Sequence, residues 1–191
     1  MRSGAWVWKG VVLLAAAGAC LGCARGALRG VQKELAPGIV TRSQVFLVKD
    51  FAIEKAVFTG DNADDPAIVA AQKQKIPPML TAALVADLTR AGYAARPLRD
   101  PGGTAEGVVI DGVMPRVNHG SGFNRAFWGF GAGAAWMLAD VKLYRLQDPV
   151  NTLAEFSVEA SSAGRAGLNA VQDFTSTNIT DLSRVIVKYL R

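Results

Sequence analysis

The sequence predicts a single α+β domain in which a mixed or antiparallel sheet of four to five strands carries helices on one face, behind a signal peptide and a tether. Three observations lead to this prediction. Short apolar runs with strand periodicity recur between turn residues, two stretches have helical periodicity, and half of the 191 residues are hydrophobic. A charged fraction of 19% with this apolar content excludes an intrinsically disordered chain.

The first half of the domain contains the clearest local signals. Val45–Val48 is a β-branched and aromatic run that predicts a buried strand. Asp65-Pro66 is typical of a helix N-cap followed by a first-turn proline, so a helix is expected to begin there. Ile76–Pro78 predicts an interruption, after which the helix resumes over Met79–Ala91. Gly92 is a suitable C-terminal stop.

The second half of the domain reads as strands followed by one helix. The predicted strands are Tyr93–Leu98, Gly107–Met114, Val141–Leu146 and Thr152–Ser161. In the last of these, Ala154, Phe156 and Val158 alternate with polar residues, which predicts one buried face and one solvated face. Asn178 followed by Asp181 resembles a helix N-cap with an acidic third position, so an amphipathic helix is expected from there to the C-terminus.

Residues 1–19 are predicted to be a lipoprotein signal peptide. Arg2 and Lys9 precede Gly10–Gly22, an uncharged stretch that ends in small residues. Thirteen helical residues would reach only about 20 Å, which is short of a hydrocarbon core of roughly 30 Å. The segment therefore predicts export of the protein and not a spanning anchor.

Two cysteines at the end of the signal are candidates for lipidation. Ala16–Cys20 resembles a bacterial lipobox, in which small residues precede a cysteine that is lipidated and becomes the mature N-terminus. Cys20 fits this pattern better, and Cys23, which follows a glycine, is the alternative. Ala17-x-Ala19 also suits the ordinary signal peptidase, which would leave both cysteines on a soluble protein as a possible disulfide.

The predicted layout after the signal is a lipidated N-terminus and tether over residues 20–43, followed by the α+β domain over residues 44–191. The tether prediction rests on a mixture of Gly, Arg, Gln and Lys without clear periodicity. Loss of the signal removes two basic residues and lowers the net charge from +5 to +3. Because no basic block is interleaved with aromatics, nucleic-acid binding has little support.

Motifs that would carry chemistry are weak in this sequence. Gly129–Ala134 has the letters of a dinucleotide fingerprint, but a polar loop precedes it and a strand follows, which is the wrong context. Asp61–Asp65 lacks the full ligand pattern of a calcium loop and reads as a capping turn. His119 has no cysteine or second histidine as a metal-binding partner. We therefore expect no catalytic residues, no metal and no cofactor.

A glycine-rich aromatic segment is the most distinctive feature of the domain. Five aromatic residues fall between residues 123 and 136, and five glycines fall between residues 120 and 133. They either fill the core where the loop crosses the sheet edge or form an exposed patch that docks a protein or touches lipid. The possible interface residues are Asn124, Arg125, Phe127, Trp128, Phe130 and Trp136.

This segment also carries a resemblance. Asn124–Ala126 followed by Gly129–Gly133, and then two strands joined by an Asp-Pro turn, resembles the bacterial lipoprotein family known as domain of unknown function forty-four-ten. The resemblance covers roughly Ser43 to Arg191, although Trp128 and Trp136 depart from the usual pattern. The order of elements is more distantly similar to periplasmic domains of the curli-secretion lipoprotein and of the lipoprotein activator of penicillin-binding proteins. These relatives imply contact with other proteins and supply no catalytic residues.

The sequence therefore predicts a lipid-anchored cell-envelope lipoprotein that acts as a non-enzymatic binding or assembly module. Its expected partners are the membrane, through the N-terminal lipid and its palmitate, and an envelope protein, with no small-molecule substrate identified. By resemblance, Leu21 or Ala24 after the lipidated cysteine favours the outer membrane, facing the periplasm. The alternatives are a subunit of an oligomeric export or pore-like assembly, and an unrecognised hydrolase that uses His119.

Overall fold

The computed structural model describes residues 26–99, 106–121, 133–162 and 174–191, without the side chain of residue 174. Seven strands and two helices occupy these ranges. The strands are β1 (Gly26–Lys33), β2 (Val45–Val48), β3 (Val57–Thr59), β4 (Ala94–Pro97), β5 (Val108–Asn118), β6 (Trp136–Arg145) and β7 (Asp148–Ser161), and the helices are α1 (Pro66–Arg90) and α2 (Phe174–Tyr189). Within the described ranges, no helix combines the length and apolarity that crossing a membrane requires.

One mixed sheet contains all seven strands, in the order β1-β7-β6-β5-β2-β4, with β3 paired to β5. The β1, β7, β6 and β5 pairs are antiparallel, whereas β2 pairs in parallel with both β4 and β5. β2 and β3 follow one another along the same side of β5, with a bridge from Ala52 to Val113 between them. The predicted α+β single domain with a mixed sheet is confirmed.

The sheet has more strands than the predicted four to five, and the reason lies in its most irregular members. β3 has three residues, and β1 falls inside residues 20–43, the segment predicted as a tether. Residues 26–33 thus belong to the sheet, whereas the sequence predicted a tether there. β1 lacks the strand signal of alternating apolar residues. It is an edge strand with two register shifts, and most of its residues are exposed, so no regular apolar face is needed.

Both helices pack on one face of the sheet, as predicted, and the core lies between the two layers. The largest side chains that are fully buried include Phe46, Phe51, Ile110, Leu143 and Phe156 from the strands and Leu80, Leu84 and Leu88 from α1. Two pairs of aromatic rings pack together in the core. The ring centroids of Phe156 and Tyr189 are 4.0 Å apart, and those of Phe46 and Tyr93 are 5.1 Å apart. Burial of each such side chain stabilises the fold by about 1.5–3 kcal/mol.

Helix α1 runs without a break through Pro77 and Pro78, which corrects the predicted interruption. Tertiary contacts on both sides of the prolines offset the lost backbone hydrogen bonds. Lys73 Nζ donates to the carbonyl oxygen of Glu54 at 2.7 Å, and the Thr81 hydroxyl donates to the Asp50 carboxylate. Ile76 and Pro77 are themselves buried. The helix is therefore held along the segment that connects β2 to β3.

The ends of α1 agree with the sequence prediction. The Asp65 carboxylate accepts hydrogen bonds from the backbone N–H groups of Ala67 and Ile68, at 2.9 and 3.3 Å. Pro66 occupies the first turn, where its missing N–H is not needed. At the other end, Gly92 has a φ of +88°, the left-handed conformation that ends a helix with little steric cost.

Helix α2 begins one turn earlier than predicted, because Asn178 is not its N-cap. The helix starts at Phe174, and Asn178 lies inside it, fully buried. Asp181 is also buried, with its carboxylate 3.6 Å from the Arg184 guanidinium. The spacing of Asn and Asp matches a capping signal, but both residues lie inside the helix and are buried.

A substitution at Gly112 tests the packing of the sheet against the segment after β2. A Cβ atom at Gly112 would lie 2.6 Å from the Phe51 ring and closer still to the backbone oxygen of Asp140. Gly112→Ala is therefore expected to lower the free energy of unfolding by about 1–3 kcal/mol, as overpacking does. Gly30→Ala is the matched control, because only the Gln32 side chain, at 3.9 Å, is near that position. Equal urea midpoints for the two variants would contradict the packing described.

Candidate interaction surfaces

Several elements meet at one end of the sheet, which we call the loop end. β3, β5 and β7 finish there, while β1, β6 and α1 begin there. Three register pairs define it: Gly26 with Ala160, Asn118 with Trp136, and Trp136 with Ser161. The first residue of β1 therefore lies at the same end of the sheet as the last residue of β5 and the first residue of β6.

Backbone hydrogen bonds fix the strand ends at the loop end. Ser121 donates its N–H to the carbonyl oxygen of Gly133 at 2.8 Å, which holds together the two residues that flank 122–132. Ser162 donates in the same way to Ala135 at 2.8 Å, and its hydroxyl oxygen lies 3.0 Å from the Ala135 nitrogen. These bonds give the loop end a defined frame of backbone groups.

Most of the predicted site residues lie outside the described residues. These are the lipidation candidates Cys20 and Cys23 and the interface candidates Asn124, Arg125, Phe127, Trp128 and Phe130. Trp136 is described, and it is the half-buried first residue of β6. Its register partners Asn118 and Ser161 place it in the row of residues nearest to the loop end. Trp136 therefore belongs to the folded frame of this end.

His119 also lies at the loop end, where its ring packs beside Phe58 with the centroids 5.7 Å apart. Its Nδ1 atom is 3.0 Å from the carbonyl oxygen of Asp61, and its Nε2 atom is buried without a partner among the described residues. The described ranges contain no group of three or more His, Cys, Asp or Glu side chains that could hold a metal. The contacts of His119 thus position the 58–61 segment beside β5.

The sheet face opposite the helices, here called the open face, carries a hydrogen-bonded charge cluster. Lys49 Nζ lies 2.9 Å from the Asp111 carboxylate, and the Tyr144 hydroxyl donates to the same carboxylate at 3.2 Å. The hydrogen bond to Asp111 raises the pKa of Lys49. The pKa of Tyr144 is raised as well, chiefly because burial disfavours the phenolate and also because Asp111 repels it.

The open face continues toward β1 as a row of paired polar groups. The Ser157 hydroxyl donates to Asp140 at 2.6 Å, and the Gln32 amide donates to Ser157 at 3.3 Å. Arg29 forms an ion pair with Glu159, and this contact raises the pKa of the guanidinium. Since both side chains remain partly exposed to solvent, the pair stabilises the fold only weakly. Two acidic side chains of the open face, Asp111 and Glu159, are thus paired with a basic side chain, and both pairs remain partly exposed to solvent.

The sequence alone did not identify this cluster as a site, although the position of a residue within its strand indicates which way its side chain faces. Asp111 interrupts the apolar run of β5, and Tyr144 alternates with buried Leu143 on β6. These signals indicate which residues face away from the core. They do not indicate that Lys49, which lies after β2, reaches the same carboxylate. Only the sheet order brings the three residues together.

The two outer strands leave unpaired edges in the described part of the chain, since β1 pairs only with β7 and β4 only with β2. Beside β1 lies an apolar groove of about 440 Å³. Its apolar lining includes Leu28, Val31, Leu35, Val40, Tyr189 and Leu190. Leu28 and Val31 keep 43% and 38% of their surface exposed, although their cross-strand partners are buried. An apolar strip therefore runs along an open strand edge.

Within the described residues, the fold and these surfaces define a two-layer α+β protein with one helix-covered sheet face, one solvated face and unpaired edges on the outer strands β1 and β4. Residues 46–166 match the family described as Domain of unknown function (DUF4410). The chain belongs to this family, which confirms the family resemblance found in the sequence. No functionally curated protein matches the chain.

Solved structures with a similar arrangement are distant in sequence. A PelC dodecamer from Paraburkholderia phytofirmans is 12% identical with a TM-score of 0.49, over 86% of this chain and 96% of that one. A single-residue variant of that dodecamer is 14% identical with a TM-score of 0.45, over 82% and 93%. Protein XCC0632 from Xanthomonas campestris, of family DUF330, is 13% identical with a TM-score of 0.45, over 84% and 89%. These likenesses assign no function to this chain.

Two substitutions in the charge cluster are predicted to shift the pKa of Tyr144 in opposite directions. Asp111→Asn removes the negative charge that disfavours the phenolate, so the pKa should fall toward its ordinary value. Lys49→Met removes the positive charge that favours the phenolate, so the pKa should rise further. A pH titration of ¹³Cζ-labelled tyrosine by NMR measures both shifts. Equal values in wild type and both variants would mean that Tyr144 does not contact the cluster.

Proposed function

We propose that the chain is a lipid-anchored cell-envelope lipoprotein that acts as a non-enzymatic binding or assembly module. The observation that carries the proposal is the position of β1. β1 is paired in the sheet, and its first residue, Gly26, follows Cys23 by only three residues. Cleavage before Cys20 or Cys23 would therefore remove the predicted signal and leave each described strand and helix intact.

The chemistry of the anchor supports a firm attachment. A single acyl chain binds a membrane only marginally, whereas two or more chains bind stably, at about 0.8 kcal/mol for each buried methylene. A bacterial lipoprotein cysteine carries at least two chains. Because neither Leu21 nor Ala24 is the aspartate that retains lipoproteins at the inner membrane, the proposed location is the outer membrane, facing the periplasm.

The binding role is supported by the free strand edges and the apolar strip. An unpaired edge presents backbone N–H and C=O groups that can pair with a strand of another chain. On β1, these groups lie next to exposed Leu28 and Val31, which can bury apolar area in the same contact. Val113 on the open face is also exposed, but it lies on β5, which is paired on both sides and offers no free backbone groups beside it. We therefore place protein contact at the β1 edge.

A second candidate function is a subunit of an oligomeric export or pore-like envelope assembly. The observation that favours it is that, among the described strands, the unpaired edges of β1 and β4 differ from one another and lie on opposite sides of one sheet. A contact between two different surfaces is heterologous, and repetition of such a contact closes into a ring when the rotation permits. A monomeric binding module does not require the second edge.

Metabolic labelling with palmitate tests the anchor. The wild-type protein is expected to carry the label, and Cys20→Ser is expected to abolish it because the lipobox reading places the acylated thiol there. Cys23→Ser is the matched control and should keep the label. Mass spectrometry of the mature N-terminus reads the cleavage site independently. Loss of label only in Cys23→Ser would assign the anchor to Cys23, and an unlabelled wild type would reject the lipoprotein proposal.

The size of the detergent-solubilised protein separates the two functions. As a subunit of an assembly, it should elute as a multimer of the 20.1 kDa chain, and Val31→Lys should reduce it to a monomer by placing a charge in the β1 contact. Val150→Lys is the control, because Val150 is 85% exposed in the β6–β7 hairpin, away from both edges. Light scattering gives the mass. A monomeric wild type would leave only the binding module.

A further inference from the structure

The route of the chain into the sheet orients the domain relative to its anchor. Gly26 pairs with Ala160 at the loop end, and the strand then runs along β7 until Lys33 pairs with Glu155. The chain leaves β1 at the opposite end of the sheet, where the backbone N–H of Leu35 donates to the Tyr189 hydroxyl at 3.2 Å. An anchor on Cys20 or Cys23 would therefore be attached to the domain at the loop end.

We propose that the loop end faces the membrane and that its described residues contact phospholipid headgroups, while the β6–β7 hairpin points away from the bilayer. This inference rests on the proposed lipid anchor. It adds an interaction surface and its partner, a zwitterionic lipid surface, to that proposal. The surface consists of the described loop-end residues that are not buried: Gly26, residues 60–65, Asn118, His119, Ser121, Gly133, Ala134, Trp136 and Ser161.

The length of chain between the anchor and β1 carries the argument. Gly26 follows Cys23 by three residues and Cys20 by six. Fully extended, these segments reach only about 10 Å and about 20 Å. β6 alone, with ten residues, spans about 30 Å from the loop end to the opposite end. The anchor therefore holds Gly26 at the bilayer, and it is too short to let the domain invert.

The side chains at the loop end specify the kind of lipid surface. Trp136 lies in the row of residues nearest to this end, and tryptophan is enriched at the level of lipid headgroups. Asp61, Asp64 and Asp65 lie in the exposed turn before α1, and their negative charge opposes contact with anionic lipid. A zwitterionic surface such as phosphatidylethanolamine fits this combination. The tether, and not charge attraction, then sets the orientation.

Two other orientations make different predictions. If charge oriented the domain, anionic lipid would attract the opposite end, where Arg42, Arg145 and Arg191 lie. If the domain lay flat on its open face, Val113 in the middle of β5 would contact the bilayer, since 46% of its surface is exposed. Three probe positions therefore distinguish the three arrangements: the loop end, the open face and the hairpin.

Fluorescence quenching in vesicles tests the orientation. Single bimane probes are attached at Asp64→Cys, Val113→Cys and Val150→Cys in the full lipidated protein, with whichever of Cys20 and Cys23 is not lipidated replaced by serine. The vesicles contain phosphatidylcholine, phosphatidylethanolamine and a lipid with a nitroxide on its headgroup. Quenching at position 64 should exceed quenching at position 150 several-fold, with position 113 between them. Added phosphatidylglycerol should leave this order unchanged.

Flotation of the same vesicles separates this inference from the proposal beneath it. A protein that floats with the vesicles but is quenched equally at positions 64 and 150, or most strongly at position 113 or 150, is anchored yet differently oriented, and the inference fails alone. A protein that does not float is not anchored, and both proposals fail. Quenching at position 150 that grows with phosphatidylglycerol would show that charge, and not the tether, orients the domain.

Discussion

The pairing of β1 with β7 is the constraint on which the rest of the structure depends. Gly26 passes so closely beneath α2 that an added Cβ atom would lie 2.5 Å from a Val185 methyl group and 3.0 Å from the backbone oxygen of Asp181. Only glycine allows this approach without a shift of the helix. The contact seats Gly26 between the sheet and α2. It thereby fixes where the chain emerges and how short any anchor must be.

From this constraint the division of the molecule into surfaces follows. Both helices cover one sheet face, where Phe156 and the leucines of α1 are buried. The opposite face carries polar and charged side chains, including the ion pair between Lys49 and Asp111. The proposed protein contact uses the strand edge with exposed Leu28 and Val31, and the proposed lipid contact uses the loop end. Each surface has a different chemistry, so the two proposed contacts do not compete for the same residues.

Local signals in the sequence predict local structure well, and tertiary contacts account for the misses. Asp65 and Gly92 mark the ends of α1 because capping depends on residues within one turn. Pro77 and Asn178 mislead because contacts distant in sequence hold their helices. β1 is missed because an exposed, irregular edge strand needs no apolar alternation. The cluster of Lys49, Asp111 and Tyr144 could not be predicted from the sequence, because only the order of the strands in the sheet brings these residues together.

Hydrogen exchange along residues 26–44 tests most directly whether residues 26–33 form a strand of the sheet. If β1 is part of the sheet, its backbone amides that bond to β7 exchange more slowly than free-chain amides, because exchange requires the strand to detach. Residues 36–44, which form turns beyond the strand, provide the internal comparison. We predict protection that starts within β1 and weakens after Lys33. Free-chain exchange throughout residues 26–44 would show a flexible tether and would contradict the account of the fold, the anchor and the orientation together.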